Sequence, residues 1–201
     1  MNKSFKRKKI NYQCYDNESK AEPTSYLVSR IKNTIYFYEN VTKESVYELI
    51  KLIKEANDYV KRRSSEIGGG GVIYIHICSD GGCVYSGLAA MDTISSNEVP
   101  IITVMEGAVC SAATFIALGG KHVRIRPSCE VLIHQISSEF WGKYEEFNDE
   151  KETLDKLMKK LRHLYEKKTE IPKKVLDKLF KRDIYIDSTD CIKWKVADGA
   201  F

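Results

Sequence analysis

Residues 107–120, GAVCSAATFIALGG, bring together the residue types that can do covalent chemistry. Small residues surround Ser111, and an apolar stretch follows it. That composition suits a sharp turn from a strand into a helix, which lifts one hydroxyl out of the backbone into a cleft. A serine alcohol is a weak nucleophile. It needs a base to take its proton and donors to hold the oxyanion that forms. Further along the chain, His134 closes the apolar run VLI and Asp183 opens the apolar run IYI. In a Ser-His-Asp triad the histidine accepts the serine's proton, and the acid fixes its tautomer and steadies the imidazolium. From the residues alone, Ser111 is better explained by helix–strand packing, and Cys110 offers a better intrinsic nucleophile. Asp187 and Asp190 compete with Asp183 for the acid's role. His76, His122 and His163 read as core or surface histidines.

Positioning such groups requires rigid elements ending close together. TIYFY (34–38) reads as a strand. Thr42 can cap a helix running to about Arg63, with Val46, Leu49, Ile50, Ile53 and Val60 on one face. SSEIGGGG (64–71) reads as a loop. No lysine–serine pair follows its glycines, which argues against a phosphate cradle. VIYIHIC (72–78) is continuously apolar, as a strand buried on both faces should be. SDGG then turns the chain into a helix with Val84, Leu88, Met91 and Ile94 inside. IITVM (101–105) leads into the serine turn and a helix to about Leu118. HVRIR (122–126) and EVLIH (130–134) read as short strands. This alternation predicts a parallel α/β sheet. From about 145 to 168 a charged helix carries one apolar stripe, Leu154, Leu157, Met158, Leu161, Leu164 and Tyr165, which reads as structural. Pro172 suits the start of a further helix, KRDIYI (181–186) is strand-like, and Ser188 can cap a last helix. A carboxylate at Asp183 is expected to be buried.

The 201 residues suffice for one domain with a sizeable core. No apolar run approaches the ~20 residues of a membrane helix, and no signal-peptide core follows the basic start, so a cytoplasmic protein is expected. The six cysteines form no CxxC pair, which argues for reduced buried thiols and no metal site. The net charge is +4, with Lys3, Lys6, Arg7, Lys8 and Lys9 clustered in the first nine residues. Residues 1–20 read as a flexible basic segment and 21–201 as the folded domain. Neither a nucleic-acid nor a membrane partner is expected.

Four motifs in order resemble the Clp protease proteolytic subunit, ClpP. VIYIHICSDGGCVYSGLAAMDTI resembles the family's strand, its Asn-Ser-Pro-Gly-Gly turn and the helix after it. GAVCSAATFIALGG resembles the segment around its nucleophile, VLIHQ that around its histidine, and RDIYIDSTDCIKWKVAD its C-terminal segment. The resemblance covers roughly residues 24–201, weakly before 72 and within 139–180. It implies a ClpP/crotonase-type α/β spiral with the 145–168 helix as a projecting handle. It also implies Ser111 as nucleophile, His134 as base, Asp183 as acid, and the Gly82 and Ala112 amides as oxyanion donors. Edges near Cys83, Val84, Ile136 and Ser137 would grip an extended peptide. The implied activity is hydrolysis of unfolded polypeptides inside a heptameric ring or double ring, without a cofactor in this chain. A Clp-type AAA+ ATPase would spend the ATP.

The chain departs from the pattern in places that bear on function. The turn's asparagine is Cys78 and its proline Asp80, a carboxylate near an oxyanion hole. The Pro-Leu-Gly-Gly after the histidine's glutamine is Ile136-Ser137-Ser138-Glu139. The acid before the Arg-Asp pair, which helps join two rings in the family, is Lys181, while Arg182 is kept. Alternative readings are a ClpP-fold protease of phage head maturation and a non-hydrolytic subunit of a mixed ring. A crotonase-type acyl-CoA enzyme shares the oxyanion hole but not this triad.

Overall fold

A computed structural model describes residues 27–201. The basic segment expected over 1–20 lies outside them. β1 (Val28–Ile31) and β2 (Thr34–Phe37) form an antiparallel hairpin. β2 then pairs in parallel with β3 (Ile73–Ser79), and β3 with β4 (Ile101–Cys110). The inward side chains Ile35, Phe37, Ile73, Ile75, Ile77, Ile101 and Met105 are essentially inaccessible to solvent. Each contributes on the order of 1.5–3 kcal/mol relative to exposure.

The covering helices follow from capping and periodicity. α1 (Lys43–Ile67) starts at Thr42, whose side chain accepts from the Ser45 amide while Ser45 returns a bond to the Thr42 amide. It buries Val46, Leu49, Ile53, Ala56 and Val60. It runs past the expected end at Arg63 because the polar stretch after it sustains helix, with Arg63 paired to Glu66 at 2.9 Å, until Gly68. α2 (Val84–Ser95) buries Val84, Leu88, Met91 and Ile94, and α3 (Ala113–Leu118) is buried along its whole length.

β4 is the element that organises the site. Its first half pairs with β5 (His122–Ile125), and its last three residues pair in parallel with β6 (Glu130–Leu132). β6 pairs antiparallel with β7 (Tyr185–Ile186), and β8 (Gly199–Ala200) closes the edge beside β5. The hairpin strand β1 and the closing strand β8 were not apparent from sequence patterning.

α4 (Tyr144–Lys168) matches the expected charged helix. Its C-terminal half buries Leu157, Leu161 and Tyr165, whereas most of its N-terminal half is exposed, so it projects from the body. α5 (Lys173–Lys181) follows Pro172. α6 (Ser188–Lys193) is capped by Asp187, which accepts from the Asp190 amide at 2.8 Å, and not by Ser188 as expected. The Ser188 hydroxyl instead donates to the Pro127 carbonyl at 2.8 Å.

Candidate active site

The ends of β4, β6 and β7 bring the three sequence-predicted groups together. The Ser111 amide donates to the Leu132 carbonyl at 2.8 Å, continuing the β4–β6 ladder by one residue. Leu132 faces Tyr185 across the antiparallel β6–β7 pair, so two residues further on the register sets His134 opposite Asp183. His134 Nδ1 lies 3.9 Å from Asp183 Oδ1. That is an ion-pair distance, too long for a hydrogen bond. Asp183 is not the buried carboxylate expected: β7 is only two residues long, and Asp183 precedes it on the surface with its side chain 79% exposed. Asp187 is committed to capping α6, and Asp190 lies 3.8 Å from Lys193, so neither rival acid is placed at His134.

Ser111 has φ +53°, a left-handed conformation that a non-glycine residue adopts at a cost of about 1–3 kcal/mol. The surrounding packing holds it there. Gly81, at φ +95°, lies so close behind the turn that a Cβ on it would come within 2.6 Å of the Cys110 carbonyl and 2.7 Å of Ser111 Cβ. Thr114 holds the turn from the helix side, its hydroxyl donating to the Ser111 carbonyl at 2.6 Å. That commits the Thr114 proton, so the Tyr165 hydroxyl, 2.6 Å away, is the donor to Thr114. A buried relay therefore runs from the α4 helix to the serine turn. Sequence reading placed Tyr165 on the apolar stripe but gave no sign of this long-range bond.

Cys110 is turned away from the site. Its thiol is buried beside the Tyr185 hydroxyl at 4.0 Å, and burial, with Asp80 adding to it, pushes its pKa up. A thiol kept protonated this way is a poor nucleophile.

Ser111 and His134 open into one cleft of about 380 Å³. Val84, Phe115, Ile136, Leu161 and Tyr165 give it an apolar end, and Asp80, Gly81 and Gly82 form another side. Among the described residues neither the Gly82 nor the Ala112 amide has an acceptor, as oxyanion donors require. Three of the expected peptide-binding residues are placed differently from a free edge. The Cys83 amide is bonded to the Val41 carbonyl at 2.7 Å, and Val84 is the buried first residue of α2. The Ile136 amide points at Met158 Sδ, 3.3 Å away. Cys83, Val84, Ile136 and Ser137 do line the cleft, but residues 133–141 form no strand.

Fold and turn define the class: an α/β spiral that presents a serine on a strained strand–helix elbow. The chain belongs to the Clp protease family, whose model matches residues 32–200. Over 130 residues it is 32% identical to the chloroplastic ATP-dependent Clp protease proteolytic subunit 1 of Arabidopsis thaliana, covering 63% of this chain and 66% of that one. An ATP-dependent Clp protease proteolytic subunit of Lobularia maritima is 32% identical over 129 residues with the same coverage. The match thus spans a little under two thirds of those relatives. A solved structure of a ClpP1 mutant from Listeria monocytogenes superposes with a TM-score of 0.71 at 19% identity, covering 85% of this chain and 91% of that one, and establishes the fold. No helix among the described residues is long and apolar enough to cross a membrane.

Proposed function

We propose that this chain is a serine endopeptidase subunit that cleaves unfolded polypeptides within an oligomeric ring. The observation that carries the reading is the left-handed Ser111 in one cleft with His134 and with two amides free to bind an oxyanion. Ser111 Oγ attacks the scissile carbonyl carbon, and its proton passes to His134. The Gly82 and Ala112 amides hold the oxyanion. His134 then protonates the departing amine, which leaves an acyl-Ser111 ester. Water, deprotonated by His134, hydrolyses that ester and restores the serine. Asp183 orients the imidazole. No step calls for a metal or cofactor; ATP is spent by a partner AAA+ ATPase that unfolds and feeds the substrate. Family membership supports the ring, and the projecting α4 is the handle through which subunits or rings engage.

The single chain holds its triad loosely: Ser111 Oγ makes no hydrogen bond among the described residues, and Asp183 stands 3.9 Å from the imidazole. Assembly tightens the triad in this reading, so native mass and peptidase activity rise together. The test is native mass spectrometry beside hydrolysis of a fluorogenic peptide across a dilution series. Activity confined to species near seven or fourteen subunits, and absent in Ser111→Ala, supports the proposal. Equal activity per chain in a stable monomer refutes the compartment.

A further inference from the structure

Among the described residues, the cleft that holds Ser111 is lined by one side chain from Asp, Glu, Lys and Arg, and that is Asp80. Asp80 is exposed, and among the described residues it has neither an ion-pair partner nor a hydrogen bond. It lines the cleft beside Gly81 and Gly82, two residues before the proposed Gly82 donor, and its charge reaches the neighbouring groups. Besides the larger effect of burial, it raises the thiol pKa of Cys110. Besides the larger effect of Cys110, it raises the phenol of Tyr185, together with Asp183. Tyr185 in β7 and Asp183 just before it stand beside His134, which in the proposed reaction protonates the departing amine. Val84, Phe115, Leu161 and Tyr165 form the apolar end. A polypeptide attacked at Ser111 therefore seats the side chain before the scissile bond among apolar groups. Its leaving-group side runs past Asp80. Lys181 and Arg182, which immediately precede Asp183 in the chain, do not line the cleft.

We propose that Asp80 is a specificity residue selecting polypeptides with a lysine or arginine immediately after the scissile bond, preceded by an apolar residue. The proposal rests on Ser111 being the acylating nucleophile. An unneutralised carboxylate two residues before the Gly82 donor opposes the negative charge that grows on the oxyanion. A substrate cation beside Asp80 relieves that opposition as the charge develops. It therefore raises kcat as well as lowering KM, because its benefit is largest in the transition state. A substrate carboxylate at the same place adds to the repulsion.

The experiment uses three internally quenched peptides that differ only after the scissile bond, carrying lysine, glutamine or glutamate, with the cleaved bond located by product mass. At low salt the wild-type assembly cleaves them in the order lysine, glutamine, glutamate. The kcat/KM ratio between first and last is on the order of tenfold for one close, solvated charge pair. The ratio shrinks at high salt, falls to about one in Asp80→Asn and inverts in Asp80→Lys. Equal cleavage of all three peptides by the wild type, or an unchanged ratio in Asp80→Asn, overturns the proposal alone. No cleavage of any peptide, with Ser111 unreactive to a fluorophosphonate, overturns the hydrolase reading and this proposal with it.

Discussion

Gly81→Ala tests whether the serine turn is held by the backbone behind it. The substitution adds one methyl carbon at φ +95°, with the Cys110 carbonyl oxygen 2.6 Å away, Ser111 Cβ at 2.7 Å and the Ala112 amide nitrogen at 3.2 Å. Two of those three atoms are backbone, so no side-chain rotation relieves the contact. The unfavourable φ costs about 1–3 kcal/mol. Forcing a carbon into a packed site costs a further ~1–3 kcal/mol. The expected loss is thus about 2–6 kcal/mol, a large share of the 5–15 kcal/mol typical of a domain. If the turn yields instead, the Gly82 and Ala112 amides lose their common aim, and kcat falls by about 10²–10³, the effect of removing one oxyanion donor. Urea unfolding and peptide hydrolysis on the same preparation read both channels. Gly70→Ala is the control, because its Cβ meets nothing within 4 Å. A Gly81→Ala protein with wild-type stability and wild-type kcat would refute the packing argument.

Three further outcomes follow from particular contacts. Asp183→Asn lowers kcat of the assembled enzyme by about 10⁴, the loss seen for a bonded triad acid, because assembly closes the 3.9 Å gap that the single chain leaves between Asp183 and His134; a loss of only ten- to a hundredfold would mean that the acid stays exposed and that assembly does not tighten the triad. Tyr165→Phe removes the donor to Thr114 while sparing the Thr114 bond to the Ser111 carbonyl; it lowers stability by about 1 kcal/mol and kcat a few-fold at unchanged KM, and an unchanged kcat would deny the relay a part in positioning the turn. Burial pushes Glu106 up, but hydrogen bonds from Tyr38 and His76 and the charge of Arg126 outweigh it and leave its carboxyl below the ordinary range. A depressed carboxylate stabilises the fold above its unfolded pKa, and that contribution is lost as pH falls through the folded value. Glu106→Gln therefore lowers the thermal midpoint at pH 7, and the gap to wild type closes as pH falls from about 5 towards 2; a gap that persists at the acid end contradicts the assignment.

Much of the site was legible because its signals are local. The continuous apolar run of β3, the small residues at Ser111 and the Thr42 cap each act over a few residues. What escaped depends on contacts distant in sequence. The exposure of Asp183 follows from β7 pairing with β6 for only two residues, which no pattern in KRDIYI shows. β1, with its polar and charged members, exists because β2 supplies a partner. The strand expected through His134 stops at Leu132, because beyond it the Ile136 amide meets Met158 of α4 and Ser138 meets the buried Glu150 at 3.4 Å. The stripe of α4 was readable as apolar, but not that one member, Tyr165, reaches the turn through Thr114. The choice between Ser111 and Cys110 was open in the residues alone. It narrows once the thiol is seen buried and turned towards Tyr185.

The central claim is that Ser111 is an activated nucleophile, and covalent labelling measures it most directly. The assembled protein is treated with a fluorophosphonate at pH 7.5, and the modified residue is located by peptide mass mapping. One adduct per reactive subunit is expected, on Ser111. Labelling is lost in Ser111→Ala and slowed by orders of magnitude in His134→Ala. An adduct on Cys110, or labelling that survives Ser111→Ala, would contradict it.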